Sequence, residues 1–284
     1  MRSRRRSLLY LPGSNKRFID KSKTTASDAI IIDLEDSVSP DQKEVARENA
    51  VHAIEEFRKE GIRKEIVVRI NAFSSALAYE DLNALMATPP DTIIVPKAEK
   101  NSMLAADMYL CAHASSIMLI GLIESAKSLV EMEETIPVTT HLSGFQFGSE
   151  DYTRDMEVQR FEDNREVLYA KGKMSVLCRA YGLDAIDTPY TDIHNEEGLR
   201  KEIEQTRMLG FTGKTAIHPA QIDVINRGFV PSQEEVEKAE KIVEAFELAL
   251  KKGKGSISFE GKMIDAPIVE RAKKILEYSK YNAI

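Results

Sequence analysis

The sequence predicts a (β/α)8 barrel, because short apolar runs alternate eight times with helix-length polar or amphipathic segments along 284 residues. Runs rich in β-branched residues and bounded by polar residues are typical of buried parallel strands, and such barrels typically need ~250 residues. Nearly every run ends in a charged or polar residue. A barrel gathers those ends around one mouth, whereas a doubly wound open sheet, the alternative, would spread them along a line.

The predicted strands occupy residues 8–11, 29–32, 66–71, 92–97, 117–123, 142–148, 184–188 and 213–219. Helices are expected in the intervals between them. The interval from about 40 to 59 is an example, because Ala46, Ala50 and Ala53 recur there at helical spacing.

The chain continues beyond the eighth unit as a helical extension. The barrel is expected to occupy residues 1–230 and the extension residues 231–284. Ser232 followed by Glu235 predicts the capped start of a charged helix, and Pro267 predicts the first turn of a final helix. Because the extension is surplus to a minimal barrel, we expect it to pack on the barrel and on a neighbouring subunit.

Composition and charge exclude several classes of protein. Hydrophobic residues make up 43% and charged residues 30%, as in an ordinary globular protein, and the net charge of −7 argues against nucleic acid as a general partner. No apolar run approaches the ~20 residues of a membrane span. Cys111 and Cys178 lack metal-ligand spacing and are expected to pack as small apolar groups in a reducing compartment. The sequence therefore predicts a cytoplasmic enzyme.

A basic segment precedes the first strand, with Arg2, Arg4, Arg5 and Arg6. The first interpretation is a disordered, solvated tail. The alternative is a grip on a phosphorylated ligand or carrier, because arginine matches the geometry of phosphate.

Glu124 and Asp151 are the leading candidates for a metal site. Each follows an apolar run at the point where polar residues begin. A carboxylate at the end of a buried strand is costly to desolvate unless a cation pairs with it. Mg²⁺ typically takes one or two protein carboxylates and leaves its other positions to water and substrate. The alternative is that each carboxylate caps the helix that follows.

Further charged groups are expected at the same mouth. Arg69 lies among apolar neighbours and needs a carboxylate partner. It is either in a structural ion pair with Asp33 or Glu35, or it holds the carboxylate of a substrate beside the metal. Asp33 and Glu35 share one face of their strand and could accept hydrogen bonds from metal-bound waters. Weaker candidates, which could only cap a helix or line a wall, are Lys97, Asp187 and His218.

Short motifs spread over nearly the whole chain carry a family resemblance. They lie at residues 6–13, 33–38, 68–72, 123–125, 147–152, 185–192, 209–214 and 261–267. In this order they resemble the HpcH/HpaI aldolase/citrate lyase family, which includes the citrate lyase β subunit and the malyl-CoA and citramalyl-CoA lyases. The segment 73–77 (Phe-Ser-Ser-Ala-Leu) departs from the family, in which an Asp-Thr pair and an aromatic residue are common there.

The resemblance implies a carbon–carbon lyase on a (β/α)8 barrel that assembles as a homotrimer or hexamer. Glu124 and Asp151 would bind Mg²⁺, and Glu124 would also contact the substrate. Arg69 would hold the substrate carboxylate, and Asp265 would be a catalytic acid/base supplied by an adjacent subunit. Without the resemblance, Asp265 would be expected to cap the helix that begins near Pro267.

The resemblance also implies a thioester carrier, either coenzyme A or the prosthetic group of an acyl carrier protein. Its pantetheine and phosphates would lie near Arg6 and the segment from Pro12 to Lys16. Glu35 completes the predicted catalytic group with Arg69 and Asp265.

The predicted reaction is Mg²⁺-dependent cleavage of a 3-hydroxyacyl thioester. A citryl thioester, giving oxaloacetate and an acetyl thioester, is the first choice, because residues 150–156 and 261–267 and the basic start look most like the citrate lyase β type. Acyl carrier protein and transferase subunits would then be partners. The alternative is a free-standing citramalyl-CoA or malyl-CoA lyase. A Mg²⁺-dependent class II pyruvate aldolase acting on free keto acids is more distant, and the intact set of acidic and basic residues disfavours a non-catalytic subunit.

Overall fold

The computed structural model describes residues 5–251, 253 and 255–281. Eight parallel strands form a closed barrel, in which each strand pairs with the next and the eighth returns to the first. The strands are β1 Ser7–Pro12, β2 Ala29–Asp33, β3 Glu65–Arg69, β4 Thr92–Val95, β5 Met118–Ile123, β6 Leu142–Phe147, β7 Asp184–Asp187 and β8 Gly213–Ala216. The predicted barrel is confirmed, and the open-sheet alternative is wrong.

Helices follow the strands as the alternating pattern predicts. They are α1 Lys16–Ser22, α2 Lys43–Lys59, α3 Leu77–Ala87, α4 Lys100–Ala112, α5 Ala126–Thr135, α6 Ser149–Asp155, α7 Leu168–Tyr181, α8 Glu196–Met208 and α9 Ile222–Gly228. The predicted helix near 40–59 is α2, preceded by a short 3-10 turn at Pro40–Gln42. Its small buried residues Ala46, Ala50 and Ala53 allow close approach to the sheet.

Alternate strand residues fill the barrel interior, as the two-residue period of a strand requires. The interior cluster contains Leu8, Ala29, Ile31, Val67, Ile94, Ile120, Leu122 and Ile186. These side chains are essentially inaccessible to solvent, so the barrel is a packed core with openings only at its ends.

Arg5 forms the floor of the barrel at the amino-terminal ends of the strands. Its guanidinium contacts Glu65 at 2.7 Å and Asp184 at 3.0 Å, and it donates hydrogen bonds to Ser143 and Thr92. The interpretation of Arg5 as part of a solvated tail is therefore wrong, because these partners bury its charge. Arg2 and Arg4 lie outside the described residues.

Gly213 gives the chain room to cross this floor. A Cβ atom on Gly213 would lie 1.7 Å from the carbonyl oxygen of Arg5. Any side chain at this position would therefore displace the segment that carries Arg5.

The residues from 227 onward form a separate compact unit, close to the predicted boundary. This unit contains α10 Gln233–Leu250, a hairpin of β9 Ile257–Phe259 and β10 Lys262–Ile264, and α11 Ala266–Tyr281. Ser232 and Glu235 form the predicted capping box of α10. A small core that includes Phe246, Ile264 and Val269 holds α10, the hairpin and α11 together.

In the part of the chain that the structure describes, no helix combines the length and apolarity that crossing a membrane requires. Cys178 is buried, as expected for a small apolar group, and burial raises the pKa of its thiol to about 12. Cys111, in contrast, is exposed on α4. The expectation that both cysteines pack in the core is therefore wrong for Cys111.

Replacing Arg5 should destabilise the barrel strongly. Arg5→Ala leaves Glu65 buried without its bidentate partner, so we expect the free energy of unfolding to fall by about 3–5 kcal/mol. Urea-induced unfolding measures this loss. Arg200→Ala, which removes an exposed ion pair with Glu196, is the control and should cost about 0.5 kcal/mol or less. Equal losses in the two variants would contradict the role of Arg5.

Candidate active site

A cavity of about 440 Å³ opens at the carboxyl-terminal ends of the barrel strands. Its lining includes the predicted residues Pro12, Arg69, Glu124 and Asp151. A cavity of about 590 Å³ lies within the second unit, but its lining is Ala245, Leu248, Ala249, Ser256, Ile257, Ser258 and Met263, with no ionisable side chain. The cavity at the barrel mouth, which is lined by ionisable side chains, is therefore the candidate active site.

Arg69 and Asp33 form a bidentate ion pair in the wall of this cavity. Arg69 Nε donates to Asp33 Oδ1 and Nη2 donates to Oδ2, each at 2.7 Å. Burial alone would raise the pKa of Asp33, but the hydrogen bonds and charge of Arg69 outweigh it and lower that pKa. The structural ion pair that we considered for Arg69 is therefore present, with Asp33 as its main partner.

The remaining edge of the Arg69 guanidinium points toward the turn after β2. Its Nη1 lies 3.2 Å from Asp36 and 3.4 Å from Glu35. The guanidinium carbon lies 5.1 Å from the centre of the Tyr10 ring, a cation–π distance. Arg69 is thus fixed on one edge by Asp33, while Nη1 on the other edge donates to Asp36, an exposed partner that an external carboxylate can replace.

Glu124 is buried at the end of β5 and accepts a hydrogen bond from the backbone N–H of Lys97 at 2.8 Å. Lys97 adopts the left-handed region, with φ of 45°, which a lysine rarely does. This unusual backbone aims its N–H at the carboxylate. Burial, followed by the charge of Asp151, raises the pKa of Glu124 to about 7 despite this hydrogen bond.

Asp151 lies in the first turn of α6, where a carboxylate is favoured by the helix dipole. It forms an ion pair with the exposed Arg154 at 2.6 Å. The capping alternative is wrong for both metal candidates. The N-cap of α5 is Ser125 rather than Glu124, and the N-cap of α6 is Gly148.

Glu35 is the least satisfied carboxylate at the mouth. Its Oε2 atom is buried and has no hydrogen-bond partner among the described residues. Burial raises the pKa of Glu35 to about 8, and the nearby Asp36, Glu124 and Asp33 add to this effect while Arg69 opposes it. Without a bound cation, burial therefore favours the protonated form of Glu35.

The residues present fit a hard divalent cation. Glu124 and Asp151 offer carboxylate oxygens to one cavity, where their charges oppose each other. Gly148 keeps the space beside them open, because a Cβ atom there would lie 3.0 Å from Glu124 Cβ. Mg²⁺ prefers oxygen ligands and binds few protein carboxylates, so Glu124 and Asp151 are the residues that would hold it.

Two predicted carrier contacts, Arg6 and Lys16, do not line the mouth cavity. Arg6 precedes β1 at the opposite end of the barrel, where it forms a bidentate pair with Asp28. This position does not bring Arg6 to the mouth, and its contact with the phosphates of a carrier stays a prediction. Lys16 is exposed on α1, and its ammonium lies 3.1 Å from Glu56. Pro12, the third predicted contact, does line the cavity.

Asp187, which was expected at the mouth, does not line the cavity there. It faces the layer between the strands and the helices, where it contacts Lys171 at 2.8 Å and Lys214 at 2.7 Å. Burial would raise the pKa of Asp187, but the two ammonium groups lower it. Lys214 also pairs with Glu202 on α8, so this buried network ties α7 and α8 to the sheet.

The remaining candidates have local roles or stay untested. His218 is exposed and caps the 3-10 turn that follows it, accepting from the N–H of Ala220. Lys97 contributes its backbone N–H to the mouth, while its side chain is exposed. Asp265 directly precedes α11, and its carbonyl oxygen accepts from the N–H groups of Ile268 and Val269. Its catalytic role stays a prediction.

Sequence reasoning missed several polar residues of the cavity. Tyr10 and Gln146 face the interior and hydrogen-bond to each other, and Ser149 and Thr188 line the wall. Tyr10 and Gln146 lie within strands whose other inward residues are apolar. A polar residue at an inward position near a strand end is the signal that could have identified them.

Comparison of the whole chain with known proteins identifies its relatives. The model of the HpcH/HpaI aldolase/citrate lyase family matches residues 6–219, and that of carbon–carbon bond lyases of the TIM-barrel fold matches residues 158–284. Citrate lyase subunit β of Haemophilus influenzae is 35% identical and covers 97% of each chain. Mitochondrial citramalyl-CoA lyase of Rattus norvegicus is 32% identical over 96% of this chain and 85% of its own.

A solved structure shows the same architecture over the full length. The protein CitE of Mycobacterium tuberculosis, crystallised with magnesium, acetoacetate and coenzyme A, has a TM-score of 0.83 and 27% sequence identity. The alignment covers 99% of this chain and 100% of that one.

The metal-free protein should lose stability as Glu35 ionises. The pKa of Glu35 in the folded chain, about 8, lies above its ordinary value of 4.5, so the folded state binds the extra proton. Its stabilising contribution is present near pH 4 and is lost as the pH rises through 8. Relative to Glu35→Gln, the wild-type free energy of unfolding should therefore fall by roughly 3 kcal/mol between about pH 5 and pH 8.

Urea-induced unfolding at several pH values in the presence of EDTA measures this difference. Glu44→Gln, which changes an exposed carboxyl on α2, is the control and should follow the wild-type pH profile. If Glu35→Gln also follows that profile, Glu35 ionises without the burial penalty that we assign to it.

Proposed function

Because the chain belongs to the HpcH/HpaI aldolase/citrate lyase family and is a carbon–carbon lyase, we propose that it cleaves a 3-hydroxyacyl thioester at the barrel mouth. The observation that carries this proposal is the meeting of Arg69, Glu124 and Asp151 around one cavity. A substrate with a carboxylate beside its hydroxyl group matches this set, since it needs both a guanidinium and a cation.

Glu124 and Asp151 hold Mg²⁺ in this proposal. When bound, the ion acts as a Lewis acid that orients the hydroxyl and carboxylate of the substrate and acidifies the hydroxyl. The elevated pKa of Glu124, about 7, supports this assignment, because a buried carboxylate next to Asp151 gains a counter-charge from a cation. CitE of Mycobacterium tuberculosis was crystallised with magnesium, which supports the same choice of ion.

Arg69 positions the substrate carboxylate. Asp33 holds the Nε and Nη2 edge, so the substrate carboxylate binds at Nη1, where it replaces the exposed Asp36 as acceptor. This orientation neutralises the carboxylate without moving the guanidinium, and it excludes substrates that lack an anionic group at that position.

The reaction needs one proton to leave oxygen and one to reach carbon. Loss of the hydroxyl proton forms the carbonyl of a 2-oxo acid, while the carbon–carbon bond breaks and its electron pair passes to the thioester fragment. The ionised form of Glu35 accepts the hydroxyl proton and releases it to solvent after turnover, and its raised pKa makes it a stronger base than an ordinary carboxylate. Asp265 of an adjacent subunit protonates the carbon of the thioester enolate, as a general acid.

A citryl thioester is the substrate that we place first, with oxaloacetate and an acetyl thioester as products. Similarity to citrate lyase subunit β over the full chain supports this order. The citramalyl-CoA lyase of Rattus norvegicus is nearly as similar, so cleavage of citramalyl-CoA or malyl-CoA by a free-standing enzyme is the second candidate. The first candidate brings an acyl carrier protein and a transferase as partners. We place the reaction in the cytoplasm, where free thiols such as Cys111 stay reduced.

The direct test is to incubate the protein and Mg²⁺ with citryl-CoA, citramalyl-CoA and malyl-CoA and to measure 2-oxo acid release. The same acyl groups on an acyl carrier protein form a second series, and free hydroxy-keto acids form a third. We expect cleavage in the thioester series that EDTA abolishes. Cleavage confined to free keto acids would identify a pyruvate aldolase and overturn the proposal.

Removing the proton donor should separate chemistry from binding. We expect Asp265→Asn to lower kcat on the preferred thioester by roughly 100- to 10,000-fold, because it can no longer transfer a proton to carbon. Metal affinity, measured by calorimetry, should stay at the wild-type value. The exposed Glu270 lies near Asp265 in the sequence, so Glu270→Gln is the matched control. Wild-type turnover in Asp265→Asn would remove Asp265 from the mechanism.

Mixing two inactive variants tests whether Asp265 acts on a neighbouring subunit. Glu124→Gln loses its own metal ligand, and Asp265→Asn loses the proton donor that it supplies. Co-expression in equal amounts should restore activity at about a quarter of the sites of a cyclic homotrimer, where an intact barrel meets an intact donor. If each site uses its own Asp265, the mixture will stay inactive.

A further inference from the structure

Asp107, Cys111 and His141 form a cluster of metal-ligating side chains at the amino-terminal end of the barrel, opposite the mouth. Asp107 and Cys111 lie one turn apart on α4, and His141 directly precedes β6. A carboxylate oxygen, the thiol sulfur and a ring nitrogen all lie within 4.8 Å of one another. None of the three residues lines the mouth cavity.

The imidazole of His141 is held between two oxygen acceptors. Its Nε2 lies 3.2 Å from the carbonyl oxygen of Ser115, a contact that requires a proton on Nε2. Its Nδ1 lies 2.8 Å from Asp107 Oδ1. The nitrogen and the carboxylate oxygen are therefore close enough to bind the same cation. The first contact is the one that histidine ligands make to orient the nitrogen that binds a metal.

Asp107 is fixed in position for such a cation. It is buried, and it accepts hydrogen bonds from the backbone N–H of His141 at 2.9 Å and from Thr140 Oγ1 at 3.1 Å. Its Oδ2 lies 3.9 Å from the sulfur of Cys111, which is exposed to solvent. The carboxylate of Asp107 and the ring nitrogen Nδ1 of His141 are therefore held in place, and the thiol of Cys111 is accessible from solvent.

We propose that Asp107, Cys111 and His141 bind one Zn²⁺ ion, with water in the remaining position. Zinc accepts sulfur, nitrogen and oxygen ligands in tetrahedral geometry, and a thiolate selects it over Mg²⁺. The ion would join α4 to the segment that enters β6. Because the amino-terminal end of such barrels serves stability and the mouth serves catalysis, we expect the bound ion to stabilise the fold.

Cobalt(II) gives a readout that the mouth cannot produce, because cobalt bound to a thiolate shows a sulfur-to-metal charge-transfer band. The chain has two cysteines, so the band can arise only at Cys111 or Cys178. The reduced full-length protein is titrated with Co²⁺, and then with competing Zn²⁺, in excess Mg²⁺ to occupy the mouth. We expect one equivalent of cobalt to give the band in the wild type and in Cys178→Ala.

Cys111→Ala should abolish the band and weaken Zn²⁺ binding by more than the roughly 10- to 100-fold that loss of an outer partner costs. His141→Gln keeps the backbone N–H that binds Asp107, and it should weaken binding similarly. Zinc at a hundred times its Kd should raise the Tm of the wild type by roughly 5–10 °C, but not that of Cys111→Ala.

Three results would overturn the proposal: no charge-transfer band in the wild type, a band that persists in Cys111→Ala, or one that disappears in Cys178→Ala. In each case the contact between His141 and Asp107 would serve only to hold the segment before β6 against α4. Thioester cleavage in Mg²⁺ should be unchanged in Cys111→Ala, so this test does not depend on the proposed lyase function.

Discussion

The ion pair between Asp33 and Arg69 determines how the mouth of the barrel is arranged. The two residues are partners in the register of β2 and β3, so the strands themselves bring the charges together. Asp33 also accepts from the N–H groups of Glu35 and Ser37, and it thereby shapes the turn that carries Glu35 toward the guanidinium. A guanidinium that is held on one edge presents its other edge in a fixed direction, and recognition of a carboxylate requires this direction.

The fold and the meeting of three predicted residues at the mouth could be foreseen because both follow from the positions of strand ends. Apolar β-branched runs located the strands, and a closed parallel barrel brings Arg69, Glu124 and Asp151 to one opening. The family resemblance drawn from the motifs is likewise confirmed by relatives that match over nearly the full chain. The direction in which a charged side chain points was harder to predict, because a shift of one residue along a strand exchanges its two faces. Asp187 is the example, since its partners Lys171 and Lys214 come from a helix and a strand distant in sequence.

The two ends of the barrel treat buried charge in opposite ways. At the floor, the guanidinium of Arg5 meets two carboxylates and two hydroxyl groups. At the mouth, Glu35 and Glu124 have pKa values raised to about 8 and about 7, and Lys97 adopts a strained backbone to serve Glu124. Buried charged side chains that lack partners lower the free energy of unfolding. Active sites commonly contain such side chains, because the ligand is the partner that completes them. The paired charges at the floor thus stabilise the barrel, whereas the carboxylates at the mouth remain without full partners until a ligand binds.

The contacts at the floor also depend on residues that are synthesised at very different times. Asp184 follows Arg5 by 179 positions in the chain, and Gly213, which makes room for the crossing, is synthesised later still. At about 5–20 residues per second, the interval is on the order of 10–40 s. Throughout it, one edge of β1 has no neighbour, because β8 does not yet exist. An apolar strand with an unpaired edge is prone to aggregation while the chain is incomplete.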